Sequence, residues 1–332
     1  MNDRAQNSLV RAQLVDRRFR VNEAMAQARE NERLVDLLKE IDAALERIDG
    51  GSYGICDLCH GSIEEDYLRL DPLVRICFTH LSRDQQEAIE RDLELASGIQ
   101  ARLLPKNNSS YGPWEVSFSY EPAGSVSGDY LDVIQRESES GGVMFLVGDV
   151  SGKGVAASLL MSQLHAIFRT LVTSLPGAED LLSRANRMLS EATHSTHFAT
   201  LVFVDADFKS GTIQVCNAGH PRPYLLSKGK ITPIERANLP LGLFYSGSYS
   251  SSTIVMEPGD LLLLYTDGIT ECFNADGVEY GDHRLRGALT DGQDLSPKAL
   301  VETVLSDLRN FRGDAGRSDD LTMMAIRRLP PA

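Results

Sequence analysis

The segment Val143-Met-Phe-Leu-Val-Gly-Asp-Val-Ser-Gly-Lys-Gly154 joins an apolar strand to a helix through a glycine-containing turn that carries one acid, Asp149. Glycine-rich turns at such a position often bind phosphate. A P-loop is excluded, because Val147 stands where its first glycine belongs and Gly154 replaces the Ser or Thr after the lysine. Dinucleotide binding is disfavoured: Gly152-x-Gly154-x-x-Ala157 fits its pattern, but Asp149 would face the pyrophosphate, and no acidic ribose ligand follows about 20 residues on.

Acids stand at the ends of other apolar runs as well. Asp129 precedes Tyr130 to Ile134, Asp267 follows Leu261 to Thr266, and the pair Asp319-Asp320 precedes Leu321 to Ile326. Acids at strand ends can reach a common cleft, where their repulsion and desolvation are tolerable mainly if cations neutralise them. All-oxygen ligation selects hard ions, so the pattern predicts a Mg2+ or Mn2+ site.

The region after about Tyr111 alternates short apolar runs with two amphipathic helices, Val155 to Val172 and Ala178 to Ala192. Strands are predicted at Val116 to Tyr120, Val143 to Val147, Leu201 to Val204, Ile213 to Val215, Leu261 to Tyr265 and Thr322 to Ile326. This order lacks strict alternation of strand and helix, so we expect an α+β layered domain. The polar residues Lys106 to Pro113 mark its beginning.

The N-terminal 49 residues contain no Gly or Pro, which is typical of exposed helix. Leu34, Leu38, Ile41, Leu45 and Ile48 form a heptad seam that needs a covering partner. Three partners are open: the earlier half of the same segment as a hairpin, the same helix of a second subunit, or the protein's own core. Leu81 to Leu104 is predicted as a second helix that links the two halves.

Two short pairs of metal ligands lie between these helices, Cys56-x-x-Cys59 and Cys77-x-x-His80. Four thiolate and imidazole ligands in two chelating pairs predict one structural Zn2+ with no open position. His60 is a weaker competitor, because adjacent residues rarely chelate one ion. Cys216 and Cys272 stand alone and are expected to be buried apolar groups.

Composition limits the function classes. With 332 residues and 42% apolar content, we expect two units. The formal charge of -14 argues against direct nucleic-acid binding. The longest aliphatic run, Leu261 to Leu264, is too short for a membrane span, and the start lacks the apolar core of a signal peptide, so a cytoplasmic protein is expected.

Five segments in order resemble the successive motifs of the PPM phosphatases, SpoIIE-like branch: Glu121 to Tyr130, Gly148 to Gly154, Asn217-Ala-Gly-His-Pro221, Tyr265-Thr-Asp-Gly268 and Ser318-Asp-Asp-Leu-Thr322. The resemblance implies a two-layer antiparallel β-sandwich flanked by helices over residues 111–329, with two Mn2+ or Mg2+ ions. It implies that Asp149 bridges both ions with the Val150 carbonyl as a further ligand, that Asp129 holds one ion, and that Asp267 and Asp319 hold the other. The role of the neighbouring Asp320 is left open.

The resemblance also implies that Asp149 and Asp267 take part in catalysis, through a metal-bound water that attacks the phosphorus atom. Ser151 has no partners for covalent catalysis, and His220 is expected to shape a turn. Lys153 and Arg222 are the candidates for holding phosphate. The implied activity is a serine/threonine phosphatase that acts on a phosphorylated anti-anti-sigma-type regulator in a partner-switching pathway.

The region around the cysteines resembles the DksA/TraR-type zinc finger with its preceding helix over about residues 35–81. His60 and His80 depart from the common pattern, which has Gly and Cys there. We expect a helical coiled-coil region at 1–50, the finger at 51–81 and a linker helix at 82–105. These regions are predicted to regulate the phosphatase, with a homodimer through the N-terminal helices as one route. The alternative is a non-catalytic phosphoprotein-binding scaffold that engages the transcription machinery, which the intact set of acids disfavours.

Overall fold

A computed structural model describes residues 10–11, 14–15, 17–19, 21–22, 32–64, 67–68, 71–136, 141–174, 177–193, 197–235, 237–292, 295–317 and 319–330. The chain divides into two compact units, Met1–Asp92 and Leu93–Ala332. None of the described helices has the length and apolar character that a membrane span requires.

In the first unit, helix α1 spans Glu32–Asp49 and carries the heptad seam. The described residues between 10 and 22 are also helical, and Leu14 and Val21 are buried against the α1 residues Ile41, Ala44 and Leu45. Two ion pairs link the segments, Arg11 with Asp49 (3.0 Å) and Arg18 with Asp42 (2.8 Å), and their order shows that the segments run antiparallel. Of the three coverings considered for the seam, the described residues therefore show the hairpin. The homodimer stays a prediction.

After α1, Gly50 and Gly51 end the helix. The described residues 51–64 contain turns and an antiparallel bridge between Ile55 and Ser62, and a short 3-10 turn spans Phe78–His80. Helix α2 then spans Arg83–Leu103, which confirms the helix predicted over Leu81 to Leu104. The division between the two units falls within this helix, after Asp92. The predicted boundaries at residues 50, 81, 105 and 111 stay predictions.

The second unit contains eleven strands in the described part of the chain. They are β1 Ser109–Tyr111, β2 Trp114–Glu121, β3 Asp129–Arg136, β4 Gly142–Val150, β5 Ala199–Asp207, β6 Thr212–Ala218, β7 Tyr224–Ser227, β8 Lys230–Pro233, β9 Ser252–Val255, β10 Leu261–Tyr265 and β11 Leu321–Arg328. They form two antiparallel sheets with the orders β1-β2-β11-β10-β7-β8 and β3-β4-β5-β6-β9.

The helices of this unit are α3 Gly154–Leu171, α4 Ala178–Ala192, α5 Asp267–Thr270, α6 Gly281–Asp291 and α7 Pro297–Arg312. Helices α3 and α4 confirm the two helices predicted over Val155 to Val172 and Ala178 to Ala192, whereas α5, α6 and α7 were not predicted. The start of α7 has a readable local signature: Ser296 caps it by accepting from the Ala299 N–H at 3.3 Å, and Pro297 follows at the first turn.

Three apolar layers hold the unit together. One lies between the two sheets around Phe145 and Met324, and one packs α3 and α4 on the five-stranded sheet around Phe168. The third packs α6 and α7 on the six-stranded sheet around Leu300 and Leu308. The fold is therefore α+β, with two antiparallel sheets and helices on both outer faces, as predicted.

Candidate functional site

Asp129 and Asp149 lie at one edge of the five-stranded sheet. Asp129 is the first residue of β3, and the antiparallel register places it directly opposite Asp149 near the end of β4. Gly128 lies against the same strand end: its carbonyl accepts from the Val150 N–H at 3.3 Å, and a Cβ at this position would lie 3.5 Å from Asp149 Oδ1. The strand pairing itself thus brings the first two predicted ligands together.

Asp267 and Asp319 are brought together by the other sheet. The Thr266 N–H donates to the Thr322 carbonyl at 2.9 Å, which aligns the end of β10 with the start of β11. At Gly268 the two backbones approach so closely that a Cβ would lie 2.0 Å from the Asp320 carbonyl oxygen. Glycine at position 268 is therefore a steric requirement of this site.

Thr266 connects the acids of the two sheets. Its hydroxyl donates to Asp129 Oδ2 at 3.1 Å, and it also accepts from the Thr322 N–H at 3.1 Å. Both threonines are buried. Sequence reasoning missed this role of Thr266, although the residue lies within a motif that was singled out.

The pKa values of the acids show that their charges act on one another. Burial, followed by the charges of Asp267 and Asp319, raises the pKa of Asp149 to about 8. Burial and Asp149 hold the pKa of Asp129 well above its usual range. Burial and Asp319 raise the pKa of Asp267. With a pKa of about 8, Asp149 is largely protonated at neutral pH unless positive charge is supplied nearby.

Lys153 supplies part of that charge. Its Nζ lies 3.0 Å from Asp319 Oδ2, with both side chains about two-fifths exposed. Arg222, the other candidate for binding phosphate, is instead paired with exposed Glu235 at 2.6 Å. Its hydrogen bond with Glu235 is also the main cause that raises the pKa of Arg222. The structure therefore associates Lys153, but not Arg222, with the acids.

Asp320 has a different environment from its neighbour. Its Oδ1 accepts from the Ala123 N–H at 2.7 Å, and its Oδ2 accepts from Ser127 Oγ at 2.7 Å and from the Gly128 N–H at 2.9 Å. These bonds tie the start of β11 to the loop between β2 and β3. Asp320 therefore organises the loop that leads into Asp129.

Ser151 and His220 have contacts that suit structural roles. Ser151 Oγ accepts from the Phe198 N–H at 2.9 Å. His220 is buried, with Nδ1 2.8 Å from Thr200 Oγ1, and burial lowers its pKa to about 3. The Asn217 side chain brackets the backbone of His220 with two hydrogen bonds, of 2.9 and 2.8 Å. Such contacts suit a residue that shapes a turn.

Glu271 is an acid that the sequence analysis overlooked. It follows the short helix α5, and burial, together with the charges of Asp267 and Asp319, raises its pKa. Its exposed position places it at the rim of the acidic group. Spacing along the chain could have indicated it, since it lies four residues after Asp267.

A second candidate site lies in the first unit. Cys56, Cys59, Cys77 and His80 offer ligand atoms that all lie within 4.8 Å of one another, and no other group of the described residues does so. The Cys59 and Cys77 sulfurs are 3.9 Å apart, close to the roughly 3.8 Å that tetrahedral zinc–thiolate geometry requires. His60 does not belong to this set. The residues therefore fit a closed zinc site.

Comparison with known proteins adds the family. The family model described as Stage II sporulation protein E (SpoIIE) matches residues 139–329. Phosphoserine phosphatase RsbU of Bacillus subtilis is 25% identical over 249 residues, which cover 74% of this chain and 72% of that protein. Protein IcfG of Synechocystis sp. is 25% identical over 280 residues, which cover 75% of this chain but only 44% of IcfG.

Among solved structures, the SiaA-PP2C domain of Pseudomonas aeruginosa matches with a TM-score of 0.65. It is 21% identical, and the match covers 73% of this chain and 98% of that domain. At this identity the likeness establishes the fold of the second unit.

Proposed function

The chain belongs to the SpoIIE family, and from this premise we propose that it is a metal-dependent protein serine/threonine phosphatase. Its substrate would be a phosphorylated regulator of the anti-anti-sigma type in a partner-switching pathway. The observation that carries the proposal is the convergence of Asp129, Asp149, Asp267 and Asp319 from the edges of two sheets, with pKa values raised for the first three.

The donor set fits two Mn2+ or Mg2+ ions. It consists of carboxylates, which hard divalent ions prefer, and the nearby cation Lys153 is half-exposed. We propose Asp149 as the bridging ligand, with the Val150 carbonyl, Asp129, Asp267 and Asp319 completing the two spheres. Bound ions would lower the pKa of water and stabilise charge on the phosphoryl oxygens.

The protein's own residues would prepare this site. Thr266 holds the orientation of the Asp129 carboxylate, and Asp320 holds the loop before it. Lys153 can leave Asp319 when positive charge is supplied there and can then pair with a substrate phosphate. Covalent catalysis through Ser151 is disfavoured, because its hydroxyl is engaged with Phe198 and the buried His220 contacts Thr200 instead.

The proposed substrate is supported by fewer observations than the proposed metal site. RsbU is described as a phosphoserine phosphatase. Its match to this chain covers 74% of the chain at 25% identity. The match covers less than half of IcfG, so whole-protein partners cannot be transferred from that relative. A phosphoserine or phosphothreonine protein is the substrate class that this relation favours.

We also propose that the first unit regulates the phosphatase. The cysteine set would hold one structural Zn2+ in a finger at 51–81, between a helical region at 1–50 and a linker helix at 82–105. The antiparallel hairpin before the finger is the arrangement that accompanies DksA/TraR-type fingers. A homodimer through the N-terminal helices is one route for such regulation.

The direct test measures phosphate release from a phosphoserine protein in Mn2+, in Mg2+ and in EDTA. We expect turnover that requires metal and is lost in Asp149→Asn and Asp267→Asn but retained in the exposed control Asp276→Asn. A phosphotyrosine peptide serves as the comparison substrate and should be a poor one. Turnover that survives both ligand substitutions would overturn the proposed site.

A further inference from the structure

The loop of residues 272–280 follows α5 closely and is held in one shape by its own hydrogen bonds. The Tyr280 N–H donates to the Cys272 carbonyl at 2.8 Å, and the Asn274 N–H donates to the Val278 carbonyl at 3.0 Å. Asn274 Oδ1 also accepts from the Val278 N–H at 2.8 Å. These bonds close the loop into a short antiparallel hairpin.

Both ends of this loop are anchored in the protein. Tyr280 is 2% exposed, and its hydroxyl donates to Asp307 Oδ2 of α7 at 2.7 Å. Its ring packs edge-on against Phe311, with the ring centroids 5.4 Å apart. Cys272 is buried in the same apolar layer, between the outer helices and the six-stranded sheet. The side chains between Cys272 and Tyr280 are therefore presented from a fixed base.

Phe273 and Glu279 lie opposite each other in this loop. They form an antiparallel bridge, and the Cβ atoms of such partners are about 4.5–5.5 Å apart on one face. Phe273 is 45% exposed, and Glu279 is exposed as well. Among the described residues, no ion pair involves Glu279 and no cation stacks on Phe273. An aromatic face beside a carboxylate is an arrangement that suits a guanidinium group.

This pair lies within reach of the acidic site. The Glu271 N–H donates to the Asp267 carbonyl at 2.7 Å, and Phe273 follows two residues later. Burial raises the pKa of Glu271, and the charges of Asp267 and Glu279 raise it further, so Glu271 lies between the two. One helical turn spans about 6 Å, and two more residues add at most about 7 Å. Phe273 is therefore within about 13 Å of Asp267, a distance that about four residues of extended peptide can span.

We infer that Phe273 and Glu279 form a docking surface for an arginine of the phosphoprotein substrate, located within about four residues of the phosphorylated serine or threonine. This inference rests on the proposed function and narrows its substrate class. The guanidinium would stack on the Phe273 ring and donate hydrogen bonds to the Glu279 carboxylate.

The charge of the surrounding surface favours the same occupant. Glu271 and Glu279 are both exposed, and the acids of the proposed metal site lie beyond them. An acidic segment beside the phosphorylated residue would be repelled there, whereas a basic one would be attracted. Lysine should bind less well than arginine, because its ammonium group is more strongly hydrated and has no planar face to stack on the ring.

The test uses short phosphoserine peptides in an alanine background. One series carries a single arginine at each of the nearest positions on either side of the phosphoserine, and a matched series carries citrulline, which has a similar size but no charge. The full-length wild type, Phe273→Leu, Glu279→Gln and the double variant are compared by kcat/KM in Mn2+. Glu257→Gln is the matched control, since Glu257 is an exposed glutamate in the turn after β9.

The readout is the ratio of kcat/KM for the arginine peptide to that for the citrulline peptide, so a change in overall activity cancels. At the best position we expect a ratio of about three- to tenfold in the wild type, mainly through KM. Each single variant should lower the ratio by about twofold or more, and the double variant should bring it close to one. Glu257→Gln should keep the wild-type ratio, and lysine peptides should be intermediate.

A wild-type ratio of one at every position, or an undiminished ratio in the double variant, would overturn the inference and leave the phosphatase proposal intact. Phosphate release from a phosphoserine protein but from none of the peptides would also overturn it, because recognition would then not be local. Absence of metal-dependent release from every substrate would overturn the proposed function and this inference together. A wild-type dimer that dissociates in Phe273→Leu, with the ratio unchanged, would assign the surface to a second copy of the chain.

Discussion

Asp129 and Asp149 face each other directly across the ladder between β3 and β4. Like charges in this relation destabilise a strand pair, and here both are also largely removed from water. The repulsion between these two carboxylates is relieved when one of them is protonated or when a cation binds between them. The stability of the folded protein should therefore depend on pH and on bound cations.

The stability of the metal-free protein should therefore fall as pH rises. Asp149 has a pKa near 8 in the folded protein against 3.8 in the unfolded chain, so the folded state holds the extra proton between these values. Its contribution to stability is complete below about pH 4 and is lost as pH approaches 8. In EDTA at pH 8, Asp149→Asn should raise the free energy of unfolding by roughly 2 kcal/mol, or about 4–8 °C in melting temperature.

Thermal denaturation of the wild type, Asp149→Asn and Asp276→Asn from pH 5 to 8 in EDTA checks this. The difference between wild type and Asp149→Asn should grow with pH and should shrink when Mn2+ is added. A difference that is constant with pH would show that the carboxylate of Asp149 is not destabilised by its surroundings.

Lys153 should compete with metal for Asp319. A part-exposed ion pair contributes about 0.2–1 kcal/mol, so Lys153→Met should bind Mn2+ about 1.4- to fivefold more tightly. Calorimetric titration measures this, with the exposed Lys209→Met as control. Unchanged Mn2+ affinity with a raised KM for the phosphoprotein would contradict competition and support a phosphate-binding role.

Asp319 and Asp320 should respond oppositely to substitution by asparagine. Asp320→Asn removes an oxygen acceptor from the buried residues Ser127 and Gly128 and should cost about 1–3 kcal/mol of stability. Asp319→Asn should leave the melting temperature nearly unchanged in EDTA and abolish binding of one Mn2+. Thermal melts and metal titrations of the two variants suffice, and the reverse pattern would assign the ligand role to Asp320.

The cysteine set should hold one Zn2+ for each chain. His80→Ala should lose zinc on dialysis, whereas His60→Ala should retain it, because His60 lies outside the set. Elemental analysis gives the stoichiometry, and Co2+ substitution should produce the absorption of a tetrahedral thiolate site. Equal zinc content in the two variants would exclude His80 as a ligand.

The ion pair of Asp132 and Arg169 should contribute to stability, because the Asp132 carboxylate is fully buried although the Arg169 side chain is 43% exposed. Asp132 is fully buried on β3, and Arg169 Nε of α3 donates to its Oδ2 at 2.9 Å. Arg169→Leu removes the cation while Tyr130 and the Val133 N–H still donate to the carboxylate, so the cost should be about 1–3 kcal/mol. The exposed Arg187→Leu is the control, and the double variant Asp132→Leu/Arg169→Leu should be more stable than Arg169→Leu alone. Urea denaturation measures all four proteins, and equal stability of the two arginine variants would contradict this role.

Local patterns were sufficient for much of this architecture. The apolar runs before Asp149 and Asp267 predicted strands with acids at their ends, and the spacing of Cys56, Cys59, Cys77 and His80 predicted a chelating set. These patterns succeed because strand burial and short-loop chelation depend on residues a few positions apart. Helix α7 shows that some local signatures were present and were missed, namely Ser296 and Pro297 at its start.

Other roles depended on contacts between distant parts of the chain. Nothing in the order of Asp319 and Asp320 distinguishes them, yet the structure directs one towards Lys153 and the other towards Ala123, Ser127 and Gly128. In the sequence, Gln100 likewise cannot be distinguished from the other polar residues of its helix. Only the structure shows that its side-chain amide forms hydrogen bonds with the backbone of Ser127. A hydrogen bond is directional and short, so its partner is known only when the sheets have paired and the backbone has been placed to within a few tenths of an ångström.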